Sequence, residues 1–249
     1  SAGKNKCIAI LNLGKIEKGK KNLIVFLHGD GSPNSPRPGI PKKSQIRFAK
    51  ELINDNNNIF LFARPGYFIR ERGSSEEDRY SSGPRNAIKS TVVNYDWKNF
   101  QILAPALQNL REYYKPKKLI LIGHSGGAYQ GGTIHGKVPG LVDINILISC
   151  PCDWEIRKKL SNGKKWETKS QLKELKKNSP SFNYKDIDLK SLNILIVGKD
   201  DKNTAPGVSK YYYDLLKKKK LQVKLHIIDG GHGLRSMPTI GSIIKEYIN

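Results

Sequence analysis

Apolar residues along this chain fall into short runs of strand length: Ile8 to Leu13, Leu23 to Leu27, Ile59 to Phe62, Leu119 to Ile122, Ile144 to Ile148 and Ile194 to Val197. Between them the spacing lengthens to that of helices. Ile46, Phe48, Ala49, Leu52 and Ile53 share one helical face. Phe100, Leu103, Ala104, Leu107 and Leu110 share another from about Asp96, where Pro105 is expected to bend or interrupt the helix. A small-residue helix over Ala128 to Ile134, a helix over Tyr211 to Leu216, a strand over Gln222 to Ile228 and a terminal helix over Ile240 to Ile248 continue the series. Strand and helix in alternation predict an α/β fold, a mostly parallel central sheet with helices on both faces. The first two runs, joined by Gly14 to Lys21, predict a β-hairpin.

Three stretches interrupt the pattern. Ser32 to Pro41 is too rich in Pro and Gly for regular structure and reads as a loop above a strand end. Ala63-Arg-Pro-Gly-Tyr67 opens a polar excursion reaching to Ser90, and loops of such length in a compact domain are usually functional or mobile. Residues 153–190, with Trp154, Trp166 and a lysine-rich helix over Lys169 to Lys177, have the length and position of a compact lid.

At 249 residues the chain suits one large α/β domain, so 1–249 is expected to be a single domain carrying the insertion at about 153–190. No apolar run approaches the ~20 residues needed to cross a bilayer. The only methionine is Met237, so Ser1 is not expected to be a translational start, and a cytoplasmic location and export after removal of a signal segment both stay open. Lys+Arg 44 against Asp+Glu 22 gives a net charge of +22, spread along the chain with one dense run at Lys217 to Lys220. That distribution reads as solvated surface, and no motif with interleaved arginine and aromatic residues suggests specific nucleic-acid binding. Cys7, Cys150 and Cys152, an odd set with a Cys-x-Cys pair, do not resemble a disulfide framework; free thiols are expected, and no metal site.

The chemistry concentrates at Leu119-Ile-Leu-Ile-Gly-His-Ser125-Gly-Gly127, where strand breaks through Gly-x-Ser-x-Gly into helix. A serine at such a turn projects its hydroxyl above the sheet edge. It needs a histidine to take its proton and a carboxylate to fix the imidazole. Of the 5 histidines, His28 opens a turn, His124 flanks the serine, His135 sits near a helix end and His226 lies within a strand. His232, in Asp229-Gly-Gly-His-Gly233 after the last strand, is free to reach across. Asp200 and Asp201 both follow Ile194 to Val197, and Asp201 is the better spaced from Gly198 and Pro206. The backbone N–H of Gly126 and that of Asp30, in His28-Gly-Asp-Gly31, are the expected oxyanion donors. Arg64, Tyr67 and Trp154 are the candidate substrate-site side chains. The arginines Arg64, Arg70, Arg72 and Arg79 either read an anionic group on the substrate or pair with Glu71, Glu76, Glu77 and Asp78. No cofactor is required.

With Gly-His-Ser125-Gly-Gly, the chain order Ser125, Asp201, His232, the His28-Gly loop and Arg64-Pro-Gly-Tyr67, the sequence resembles the α/β-hydrolase superfamily over about residues 5–249. Ser179-Pro180 ahead of the acid strand is also similar to catalytic domains of the prolyl-oligopeptidase type, although the elbow lacks their usual Ser-Tyr-Gly-Gly and no propeller domain is expected. The resemblance implies the α/β-hydrolase fold with a short lid insertion, and a serine hydrolase cleaving a small-molecule ester or related acyl bond through an acyl-enzyme on Ser125. It leaves open an aminopeptidase or amidase, and a non-catalytic basic binding protein on the same fold.

Overall fold

The computed structural model describes residues 6–19, 21–30, 39–40, 43–69, 79–80, 97–161, 169–233 and 238–248. Each apolar run becomes a strand: β1 (Ile10–Leu13), β2 (Asn22–Leu27), β4 (Asn57–Phe62), β7 (Leu119–His124), β8 (Ile144–Ile148), β9 (Leu192–Gly198) and β10 (Gln222–Ile228). They form one sheet in the order β1-β4-β2-β7-β8-β9-β10, parallel throughout except where β1 runs antiparallel to β4. Short strands β3 (Gly39–Ile40), β5 (Phe68–Ile69) and β6 (Arg79–Tyr80) make a second, minor sheet.

The two-residue period of the strands sorts their side chains between two cores. Leu23, Val25 and Leu27 of β2 and Leu119 and Leu121 of β7 face α2 (Trp97–Tyr114) and α3 (Gly126–Lys137), meeting Phe100, Leu103, Leu107 and Tyr129. Ile24, Phe26, Ile120, Ile122, Ile146 and Ile194 face the other way, onto Phe48 and Leu52 at the end of α1 (Lys43–Lys50) and Ile240 and Ile244 of α8 (Pro238–Ile248). Every residue of β2, β4, β7 and β8 is buried, as a parallel sheet covered on both faces requires. On the α2 and α3 side, α7 (Pro206–Lys218) adds Tyr212 and Leu216 against Leu147 and Leu195. Each such apolar side chain contributes about 1.5–3 kcal/mol on burial.

The region between β8 and β9 holds α4 (Trp154–Leu160), α5 (Lys169–Lys177), α6 (Pro180–Asn183) and a 3₁₀ turn (Tyr184–Asp186). It docks along α3. Tyr129 of α3 packs on Trp154 and donates to the Leu175 carbonyl, and Thr133 donates to the Asn178 carbonyl at 2.6 Å.

Three expectations are corrected. β1 does not form a hairpin with β2; both edges of β2 are taken by its parallel partners β4 and β7, so β1 crosses to the outer edge of β4, with Ile10 opposite Phe62. Of the two effects expected of Pro105, interruption does not occur: α2 continues from Trp97 to Tyr114 through it, with Phe100, Leu103 and Leu107 in the core on either side. Cys150 and Cys152 are joined in a disulfide, because the chain turns at Pro151 at the end of β8 and brings their Cα atoms to 5.1 Å. Cys7 is exposed and takes part in no disulfide among the described residues. Among the described residues, no helix is long and apolar enough to cross a membrane.

Candidate active site

Ser125 stands between β7 and α3 with φ 52° and ψ −118°, a left-handed conformation that costs a non-glycine residue about 1–3 kcal/mol. The turn is tight because α3 starts against the end of β2. A Cβ at Gly127 would stand 2.2 Å from the Leu27 carbonyl oxygen, so only glycine lets helix and strand approach this closely. The Ser125 N–H donates to the Ile148 carbonyl at 2.8 Å, and its carbonyl accepts from Tyr129 N at 3.0 Å, opening α3. The hydroxyl is thereby fixed above the carboxyl ends of the strands.

His232 reaches it from the loop after β10. Its Nε2 lies 2.9 Å from Ser125 Oγ, and its Nδ1 lies 2.9 Å and 3.2 Å from Asp201 Oδ2 and Oδ1. An ionised carboxylate only accepts, so Nδ1 carries the hydrogen and Nε2 offers its lone pair to the serine hydroxyl. Asp201, and not Asp200, makes this contact; Asp200 is exposed on the same turn. The Asp201 side chain is out of water, and burial alone would raise its pKa. Hydrogen bonds and charge from His232, with the N–H and hydroxyl of Thr204, more than offset that and bring it to about 2. The carboxylate is therefore ionised wherever the protein is folded at ordinary pH. The imidazole loop is tied down by His124, whose Nε2 lies 2.9 Å from the His232 carbonyl.

The third component is the loop after β2. A Cβ on Gly29 would come within 3.3 Å of Ser125 Cβ, which puts the His28–Asp30 segment directly beside the serine. The segment is pinned from beneath. His28 Nδ1 donates to the Gly29 carbonyl at 2.7 Å, which leaves Nε2 to accept the Arg64 N–H at 3.1 Å. The Arg64 guanidinium donates to the Asp30 carboxylate, and Tyr67 sets its ring edgewise on His28 with centroids 4.4 Å apart. Gly126, at the first position of α3, presents one of the N–H groups that have no acceptor within the helix, where the helix dipole favours negative charge.

The three substrate-site candidates have other places. Arg64 and Tyr67 are each 1% exposed and support the loop after β2; Trp154 is 4% exposed and packs in the core against Tyr129. The ion pair with Asp30 makes the burial of the Arg64 guanidinium tolerable, and the two aromatic side chains lie against His28 and Tyr129. Arg70, Arg72, Trp166 and most of the 63–90 excursion lie outside the described residues. Thr204, Asn203 and His124 were not singled out as site residues from sequence. The signal for the first two was present: Asp201-Lys-Asn-Thr204 is a carboxylate followed two and three residues later by the N–H groups it accepts, at 2.9 and 2.8 Å. Among the described residues no cluster of three His, Cys, Asp or Glu side chains could hold a metal ion.

Residues 55–246 match the model of the prolyl oligopeptidase family. Among solved structures, the uncomplexed acylaminoacyl peptidase of Pyrococcus horikoshii superposes with a TM-score of 0.67 at 19% identity, over 94% of this chain and 37% of that one. This chain thus spans little more than a third of the peptidase's length. The esterase Pf2001 of Pyrococcus furiosus gives 0.59 at 20% identity, over 92% and 85% of the two chains. Acetyl xylan esterase 1 of Thermoanaerobacterium sp. gives 0.61 at 12% identity, over 97% and 77%. At these identities the structural likeness is one of fold, the α/β-hydrolase fold. Among curated proteins none matches the sequence.

Proposed function

The chain belongs to the prolyl oligopeptidase family, within the α/β-hydrolase superfamily of serine hydrolases, and on that premise we propose that it hydrolyses acyl bonds, esters foremost, through an acyl-enzyme on Ser125. The observation that carries this reading is the continuous line from Ser125 Oγ to His232 Nε2 at 2.9 Å and from His232 Nδ1 to Asp201 Oδ2 at 2.9 Å. In the first half-reaction Nε2 takes the serine proton as Oγ bonds to the acyl carbon, and the imidazolium then gives that proton to the leaving group. Asp201 holds the imidazole in the required tautomer and stabilises its cation. The N–H groups of Gly126 and Asp30 are the donors for the oxyanion, and a fixed loop costs little reorganisation when the charge develops. Arg64, His28 and Tyr67 supply that fixity. In the second half-reaction water repeats the attack.

An ester substrate is favoured by the two esterases that the chain matches over most of both lengths. An amide substrate is the second reading, favoured by the family itself and by the likeness to an acylaminoacyl peptidase. Paired substrates decide between them: p-nitrophenyl esters of short acids against N-acylaminoacyl p-nitroanilides of matching acyl part. The expected result is a higher kcat/KM for the esters by more than the intrinsic difference in their reactivity. Equal or better turnover of the anilides makes the protein a peptidase, and turnover of neither series sets both readings aside.

A further inference from the structure

The steps above leave one donor beside the imidazole unused. Asn203 Nδ2 lies 3.1 Å from His232 Nε2, the nitrogen that faces the Ser125 hydroxyl at 2.9 Å. The sense of this amide is fixed from the other end. Arg157 of α4 donates through Nη2 to Asn203 Oδ1 at 2.6 Å and through Nε to the Asn203 carbonyl at 3.0 Å. A guanidinium only donates, so the oxygen of the amide faces Arg157 and its N–H faces the imidazole. Arg157 in turn lies over the Trp154 ring, 4.4 Å from its centroid, and Trp154 is buried in the core. An exposed asparagine is thus gripped at side chain and main chain, with its own N–H spent on Asp201 Oδ1 at 2.9 Å.

Nε2 has a single lone pair. While the serine hydroxyl uses it, the amide N–H stands at the edge of that bond, and once Nε2 is protonated it offers no acceptor. The amide then requires an oxygen that comes to Nε2 from outside. In the sheet, the loop expected to hold the oxyanion follows β2, on one flank of β7, whereas Asn203 follows β9, on the other flank. The oxyanion is therefore not that oxygen. The leaving group and the hydrolytic water both pass beside Nε2.

We infer that Asn203 orients the hydrolytic water, with Arg157 as its positioning residue; the inference rests on the acyl-enzyme reading for Ser125. The amide N–H donates to the water oxygen while one water O–H donates to Nε2. That proton passes to Nε2 as the oxygen bonds to the acyl carbon. When the bond from carbon to Ser125 Oγ breaks, the proton moves to Oγ and the carboxylic acid leaves. An activated ester isolates this half of the cycle, because p-nitrophenolate departs without assistance.

The test uses p-nitrophenyl acetate with Asn203→Ala and Arg157→Ala, reading kcat/KM for acylation, kcat for turnover and the quenched intact mass for the acetyl-enzyme. Asn203→Ala is expected to leave kcat/KM within about twofold while kcat and KM fall together by roughly tenfold, the loss of one hydrogen bond in the deacylation step. Acetyl-enzyme accumulates, and hydroxylamine, a stronger nucleophile that does not depend on the amide, restores turnover. Arg157→Ala moves the same quantities in the same sense and by less. A fall of kcat/KM in step with kcat, or no change in either, overturns the inference. Failure of the parent reading looks different: the unaltered protein then gives no acetyl-enzyme and no burst of p-nitrophenolate.

Discussion

Asp201 concentrates in one carboxylate the reasons the site can work. It is buried, accepts from His232, Thr204 and the Asn203 N–H, and is held at a pKa of about 2 in spite of its desolvation. Asp201→Asn places an amide where the imidazole needs an acceptor, and kcat is expected to fall by about 10³–10⁴-fold, the scale of a wrong tautomer. Asp200→Asn, altering an exposed side chain one residue away, should stay within about twofold. Steady-state kinetics on an activated ester checks the pair, and equal losses would remove Asp201 from its role. Choosing between the two aspartates was within reach of the sequence because Pro206 fixes where α7 begins. The places of Arg64, Tyr67 and Trp154 were not. A large polar or aromatic side chain reads from sequence as a candidate for contact with substrate, and only the packing of β2 against its neighbours shows Arg64 turned inward onto Asp30.

Among the elements, the junction of β7 and α3 carries the tightest constraint. Gly127→Ala would set a methyl group 2.2 Å from the Leu27 carbonyl oxygen, so either α3 or the end of β2 must move. The expected outcome is loss of activity together with a lower melting temperature, since the displaced segment bears both the serine turn and the His28–Asp30 loop. Arg64→Ala separates the two effects: it leaves α3 in place, loosens the loop, and should lower kcat more than it raises KM. It also removes the guanidinium from the Asp30 carboxylate, and because that carboxylate is about a third exposed the stability cost is expected to stay at about 1 kcal/mol. Denaturant titration and kinetics on both variants check this. The alternation of strand and helix, and the faces on which they pack, were legible because a parallel sheet buried on both sides leaves uninterrupted apolar runs. Strand pairing was not legible to the same degree. Nothing in Ile10–Leu13 or Asn22–Leu27 tells that β2 has both edges occupied by strands that come later in the chain.

Across the whole molecule, stability should depend on pH through a group far from the serine. His135 in α3 is fully buried, its Nε2 3.1 Å from Ser191 Oγ, and burial lowers its pKa from 6.5 to about 4. The unfolded chain therefore binds this proton first as pH falls. The contribution to stability is complete above pH 6.5 and is lost progressively toward pH 4, roughly 3 kcal/mol in all. Urea midpoints at pH 7 and pH 4.5 should differ by more in the unaltered protein than in His135→Gln, which has no proton to gain; equal differences would assign the acid sensitivity to other groups. Asp201, with its pKa of about 2, adds a second loss only below pH 3.8. The net charge of +22 is legible in composition and raises self-repulsion. The account turns on Ser125 being the nucleophile. The most direct measurement is intact mass after incubation with a fluorophosphonate, on the folded protein and on Ser125→Ala. One adduct, lost in Ser125→Ala while its melting temperature is unchanged, is the predicted result; a folded protein that takes no adduct, or one that Ser125→Ala takes equally, would contradict it.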